Sequence, residues 1–151
     1  MIKANNLQAG QPIYQLIVIL EEIKKGYLKA ADKVKDQVLS LLFRNFGYQK
    51  IRYINELRHF VNNWGDTEFD QFTLSLLQRT CSQLKHGVKQ QRQNGIIETC
   101  IKGEEVAIAN YSTAIQQVKQ YDEVRAVLQQ QVNGIKTVLN TIKEYTAKSY
   151  C

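Results

Sequence analysis

Apolar residues recur along the chain at the three- and four-residue intervals that place them on one face of a helix. Four long stretches show this pattern, and no stretch keeps the two-residue alternation of a strand for long. Pro12 suits a first helical turn and Asp36 suits an N-cap, so these residues predict two of the helix starts. The pattern predicts long helices over residues 12–34, 36–64, 93–118 and 122–147.

A shorter apolar segment lies between the second and third long helices. It runs from Phe69 to Val88, and His86-Gly87 marks its predicted end. The links within each pair of long helices are short, which favours antiparallel neighbours, whereas a ferritin-like bundle needs a long connection between the pairs. The pattern therefore predicts an all-α fold, a ferritin-like antiparallel four-helix bundle with a shorter crossover helix between helices 2 and 3.

The length and composition favour one ordinary globular unit. The chain has 151 residues, of which 44% are hydrophobic and 23% are charged, and this suffices for one domain with a substantial core. We expect a single domain over residues 1–151, with residues 1–10 as a loose N-terminal tail.

Charge and cysteine content narrow the possible partners. The net charge of +6 comes from basic residues interleaved with acids along the whole chain, so nucleic-acid binding is disfavoured. Cys81, Cys100 and Cys151 lack the spacing of a disulfide framework or a zinc site. The apolar run over residues 13–20 is too short to span a membrane. These features predict a cytoplasmic protein with no membrane contact.

Glu104 interrupts the apolar stripe of the third long helix. At about 100° per residue it falls near the centre line of that stripe. A carboxylate there is costly to bury unless it is paired, protonated or bound to a metal. The stripe consists of Ile97, Cys100, Ile101, Ala107, Ile108, Tyr111, Ile115 and Val118.

Three further polar residues lean towards the same interior. Lys24 lies about 40° from the centre of the first stripe, Lys50 lies about 20° from the centre of the second, and Gln131 leans inward on the fourth helix. We expect Lys24, Lys50, Glu104 and Gln131 to form a buried polar cluster in which a lysine pairs with Glu104. The alternative is that both lysines extend their ammonium groups to the surface and Glu104 alone is buried.

A metal site is the competing interpretation. Ferritin-like di-iron sites take Glu-x-x-His motifs from two helices, and this chain offers one match, Glu56 with His59. Glu56 lies about 100° and His59 about 160° from Leu57 at the centre of the face, so the histidine points outward. No metal is favoured. If iron or manganese were bound, its ligands would be Glu56, His59 and Glu104.

Several short motifs lie along the four predicted helices, between about Leu16 and Ile142. They are Lys25-Gly26-Tyr27, Asn55-Glu56-Leu57, Cys100-Ile101-Lys102-Gly103-Glu104 with Ala107 and Tyr111, and Gly134-Ile135-Lys136. In these motifs the chain resembles a bacterial family of ferritin-like four-helix-bundle proteins of uncharacterised function. The likeness implies the same bundle with a crossover helix. Family members often carry an acidic residue near Lys24 and a histidine near Leu139, and the replacement of both here argues against metal binding.

These observations favour a non-enzymatic helical bundle that acts through protein–protein contacts, as a homo-oligomer or with a protein partner. One alternative is a metal-binding ferritin-like protein or oxidase with iron or manganese. A second alternative is a stress-related nucleic-acid-binding protein. Glycine-rich phosphate loops and a plausible Cys–His pair are absent from the sequence, so nucleophilic catalysis has little support.

Overall fold

The computed structural model describes residues 2–64 and 93–149, with side chains described over residues 10–61 and 93–146. This part of the chain is entirely helical apart from two short corners, as the apolar periodicity predicts. The predicted crossover helix over residues 69–88 lies outside the described residues. The helices are α1 (Ile2–Lys33), α2 (Gln37–Trp64), α3 (Gln93–Gln117) and α4 (Asp122–Ser149).

The start of α1 differs from the prediction. The helix begins at Ile2, and Pro12 lies inside it, so the backbone of residues 2–10 is helical. A proline inside a helix removes one backbone hydrogen bond and crowds the preceding turn, which disfavours the helix without forbidding it. The expectation took Pro12 as a start signal because proline is most common in the first turn.

The corner between α1 and α2 is built around Asp36. Its Oδ1 accepts hydrogen bonds from the backbone amides of Val38 at 2.9 Å and Leu39 at 3.2 Å, so the predicted N-cap is confirmed. The Ser40 hydroxyl donates to the Ala31 carbonyl at 2.6 Å, across the corner. These bonds satisfy groups that the helix ends leave open and turn the chain back on itself.

The four helices form a bundle in which every neighbouring pair is antiparallel. α1 packs against α2 and α3, and α4 packs against α3 and α2, so α2 and α3 face each other across one diagonal. Tyr145 near the end of α4 meets Asp36 at the start of α2, and Gln131 meets Tyr53, which fixes the direction of α4 relative to α2. As a consequence α2 and α3 run in the same direction. The end of α2 and the start of α3 therefore lie at opposite ends of the bundle.

The core is continuous and apolar over most of its length. It includes the predicted stripes of all four helices, for example Leu20, Leu57, Ala107 and Leu128. Among the described residues no helix is long and apolar enough to cross a bilayer. Three polar side chains are buried in this part of the chain, and they define the candidate site: Lys50, Glu104 and Gln131.

Candidate functional site

An ion pair crosses the centre of the bundle between diagonal helices. Lys50 Nζ on α2 lies 2.9 Å from Glu104 Oε2 on α3, and both side chains have zero exposure to solvent. Each residue sits on the core face of its helix because it occupies a position in the apolar stripe. The two long side chains therefore bridge helices whose backbones do not touch.

Lys50 has two further partners. Its ammonium donates to Gln49 Oε1 at 2.7 Å, and it lies 5.3 Å from the ring centroid of Tyr27 on α1. The ring face offers the cation an electrostatic attraction at that distance. The charge of Lys50 is thus shared among a carboxylate, an amide oxygen and an aromatic face.

The two carboxylate oxygens of Glu104 differ in their hydrogen bonding, since only Oε2 has a partner. Its Oε1 has no hydrogen-bond partner within the described part of the chain, and neither does the hydroxyl of Tyr27. Burial raises the pKa of Glu104, and the Tyr27 hydroxyl is close enough to the carboxylate to oppose that rise, after the larger opposing effect of Lys50.

Burial opposes the charges of the pair. Removal from water is the largest influence on both groups, so the pKa of Glu104 is raised and the pKa of Lys50 is lowered. Their mutual attraction opposes both shifts, because it lowers the pKa of Glu104 and raises the pKa of Lys50. The short contact between the two groups offsets the cost of burying their charges. Loss of either partner would leave an uncompensated charge in the core.

A second polar chain lies beside the ion pair. The Tyr111 hydroxyl on α3 donates to Gln131 Oε1 at 2.6 Å, and Gln131 Nε2 donates to the Tyr53 carbonyl at 3.3 Å. Gln131 therefore links α4 to both α3 and α2. Burial raises the pKa of Tyr111 well above its usual value, so its hydroxyl stays protonated and remains a donor.

Lys24 does not belong to the buried cluster, which corrects the expectation. Its side chain is 22% exposed, and its Nζ lies 2.6 Å from Glu21 Oε2 on the same helix. Glu21 also accepts from Arg58 on α2 at 3.0 Å. Lys24 leans only to the edge of its stripe, and its flexible stem lets the ammonium reach a carboxylate at the surface.

The alternative metal ligands do not meet. Glu56 and His59 are both exposed on α2, whereas Glu104 is fully buried. His59 faces outward, as its helical angle predicts. Within residues 2–64 and 93–149, no group of three or more histidine, cysteine or acidic residues is arranged to hold a metal ion.

Cys100 packs in the core one turn before Glu104. Burial raises the pKa of its thiol, and the nearby carboxylate adds to the effect. A thiol held protonated is a poor nucleophile. Its place in the apolar stripe makes it a packing residue, as the sequence suggests.

Gln49 is the member of the site that sequence reasoning missed. It supplies the second acceptor for Lys50, yet it precedes Lys50 by one residue and so lies about 100° around the helix. Periodicity places it at the boundary of the core face. The only available signal was its adjacency to an inward-facing lysine.

The comparisons with known proteins identify a family. A family model described as a domain of unknown function (DUF2383) matches residues 9–117. The chain belongs to this family. Tyr27, Lys50, Glu104, Tyr111 and Gln131 together form a polar layer at the centre of the bundle. The family match contains the first four of these residues and ends before Gln131. No curated protein and no solved structure matches the chain.

Proposed function

We propose that this DUF2383 protein is a non-enzymatic, ferritin-like helical bundle that acts through its outer surface by protein–protein contact. The observation that carries the proposal is the ammonium of Lys50 at the bundle centre, 2.9 Å from Glu104. The ion pair occupies the part of a bundle where facing helices commonly build a cofactor or metal site.

The residues of the polar layer do not fit a di-metal centre. A ferritin-like site takes carboxylates and histidines from four helices. Here α1 contributes Tyr27, α2 contributes Lys50 and α4 contributes Gln131, so Glu104 is the only buried carboxylate in the described interior. The ammonium of Lys50 already neutralises the Glu104 carboxylate, and it would also repel a metal ion placed beside that carboxylate.

The bundle topology supports the ferritin-like part of the proposal. Neighbouring helices are antiparallel, and α2 and α3 are parallel across a diagonal. A chain with this order needs one long connection between its second and third helices, which is the feature that ferritin-like bundles share. The resemblance noted in the sequence extends the proposal to a bacterial protein, and the cysteine pattern extends it to a location in the cytoplasm.

A metal measurement tests the non-enzymatic role. Protein made without a histidine tag, in medium supplemented with iron and manganese, should contain far less than one metal ion per chain by elemental analysis. Stoichiometric metal that disappears in Glu104→Gln would overturn the proposal.

A variant of the lysine sharpens this test. Lys50→Glu would place two carboxylates together in the core and remove the competing ammonium. Binding of manganese by folded Lys50→Glu but not by the native protein would support exclusion by the lysine. Equal binding by both would show that Lys50 does not exclude metal.

A further inference from the structure

The bundle consists of two helical hairpins, α1–α2 and α3–α4, and a short corner aligns the helices within each one. Asp36 caps α2 at the first corner, and at the second the Tyr121 amide donates to the Val118 carbonyl at 2.9 Å. Residues 65–92 join the two hairpins in sequence, and this stretch is too long to be a tight turn. The height of one hairpin against the other along the bundle axis therefore depends on their facing side chains.

The apolar contacts between the hairpins discriminate poorly between different heights. Aliphatic side chains of similar size recur along the facing helices, such as Leu20 and Ile23 on α1 and Leu128 and Ile135 on α4. A slide of one helical turn, about 5.4 Å, would set aliphatic groups against other aliphatic groups. Cores that keep their volume and pattern in this way lose uniqueness before they lose stability.

Two buried polar contacts cross between the hairpins, and a slide would break both. Lys50 Nζ lies 2.9 Å from Glu104 Oε2, and Gln131 Nε2 donates to the Tyr53 carbonyl at 3.3 Å. A slide of one turn would lengthen the first contact to about 6 Å. Both charged side chains have zero exposure, so solvent water would not replace the lost partner.

The bond between Tyr145 and Asp36 also crosses between the hairpins, but it discriminates less. It lies at the end of the bundle and is only partly buried. Water can take the place of either partner at such a site at small cost. The discrimination between heights therefore comes from the buried contacts.

We propose that Lys50, Glu104 and Gln131 form a register lock, which holds the α3–α4 hairpin at one height against the α1–α2 hairpin. A single buried polar residue fixes the register of some coiled coils in the same way, at a cost in stability. The lock excludes other heights because each of them leaves buried charges unpaired. This role is independent of any partner bound at the outer surface.

The lock makes the uniqueness of the fold separable from its stability. An apolar replacement of a buried ion pair is often neutral or stabilising. We therefore expect an apolar layer to keep the helices and the thermal midpoint while allowing several heights. The apolar-layer chain carries Lys50→Met, Glu104→Leu, Tyr111→Phe and Gln131→Leu, so that no member of the layer keeps an unpaired polar group.

Distances between two spin labels measure the height directly. The labels are placed at Asn45→Cys on α2 and Gln116→Cys on α3, both of which are exposed. Asn45 precedes Lys50 and Gln116 follows Glu104 on parallel helices, so the labels lie on opposite sides of the layer. A slide of one turn therefore changes their separation by several ångströms. Every chain also carries the three substitutions that remove the native thiols: Cys81→Ser, Cys100→Ala and Cys151→Ser.

Pulsed electron paramagnetic resonance on the full chain should give one narrow distance distribution with the native layer. The apolar-layer chain should give a broad distribution or several peaks. The chain with Lys50→Glu and Glu104→Lys keeps a buried pair of reversed polarity and should return to one narrow peak. Leu57→Met with Leu128→Met changes apolar core residues alone and should also stay narrow.

Three results would overturn the proposal. The first is a single narrow peak for the apolar-layer chain, which would mean that apolar packing alone sets the height. The second is a distribution for the reversed pair as broad as that of the apolar layer. The third is loss of the helical circular dichroism signal in the apolar-layer chain, which would mean that the layer supplies stability and not uniqueness.

Discussion

The hydroxyl of Tyr53 on α2 rests against Gly134 on α4, in the space that a β-carbon at position 134 would occupy. The ring carbon that bears the hydroxyl would also lie 3.2 Å from such a β-carbon, and Gln49 Nε2 would lie 3.1 Å from it. Gly134 therefore lets α2 and α4 pack closely beside the polar layer. The same helix pair is joined by Gln131 and the Tyr53 carbonyl.

Gly134→Ala should lower the free energy of unfolding, by roughly 1–3 kcal/mol, because overpacking displaces a rigid ring. Gly103→Ala is the matched control, since a β-carbon there would meet only Ile23 at an ordinary 3.7 Å. It should raise stability by up to about 1 kcal/mol through helix propensity. Denaturant unfolding measures both, and adding Tyr53→Phe should restore part of the loss in Gly134→Ala. Equal stabilisation by both alanines would contradict this packing.

The Lys50–Glu104 pair should show strong coupling. Glu104→Leu leaves a buried ammonium unpaired and should cost about 3–5 kcal/mol of unfolding free energy. Adding Lys50→Met should recover much of the loss, because an apolar replacement of a buried pair is often neutral. Urea unfolding of the four proteins of the double-mutant cycle gives the coupling.

Lys24→Met provides the control cycle. Because Lys24 pairs with Glu21 at the surface, its effect should add to that of Glu104→Leu within about 0.5 kcal/mol. Coupling of Glu104 to Lys24 in place of Lys50 would mean that α1 is rotated from the arrangement described.

The contact between Tyr145 and Asp36 should make stability depend on pH. The Tyr145 hydroxyl is the main cause, ahead of the Leu39 amide, of a lowered pKa for Asp36. A carboxylate whose folded pKa is lowered stabilises the fold above its unfolded pKa of about 3.9 and loses that contribution as the pH falls through the folded value. Tyr145→Phe should therefore lower the thermal midpoint at neutral pH, and the difference from the native protein should shrink below about pH 4. A difference that is constant down to pH 2 would rule out this linkage.

Truncation of His59 should matter far less to stability than truncation of Leu57. His59 is exposed, so His59→Ala should change unfolding free energy by no more than about 0.5 kcal/mol. Leu57 is fully buried on the same helix, and Leu57→Ala should cost about 2–5 kcal/mol. Thermal and urea unfolding of both variants checks the rotation of α2, and a costly His59→Ala would place His59 towards the core.

Local signals in the sequence determined where the helices run and that Glu104 faces inward. Helical periodicity is a property of neighbouring residues, so it can be read without knowing what the helix packs against. The Asp36 cap is local for the same reason, since its acceptor serves amides two and three residues away. The exception was Pro12, where a local preference for helix starts did not decide the start of α1.

The tertiary structure decided which lysine pairs with Glu104. Lys24 and Lys50 both lean towards the core on helical angle, and the choice depends on how far each helix is rotated and which helix lies across the diagonal. Gln49 and the contact between Tyr53 and Gly134 likewise depend on distances between helices. Periodicity predicts which face of a helix a residue lies on, with an uncertainty of about the width of one side chain. A hydrogen bond or a steric contact instead depends on interatomic distances to within a few tenths of an ångström.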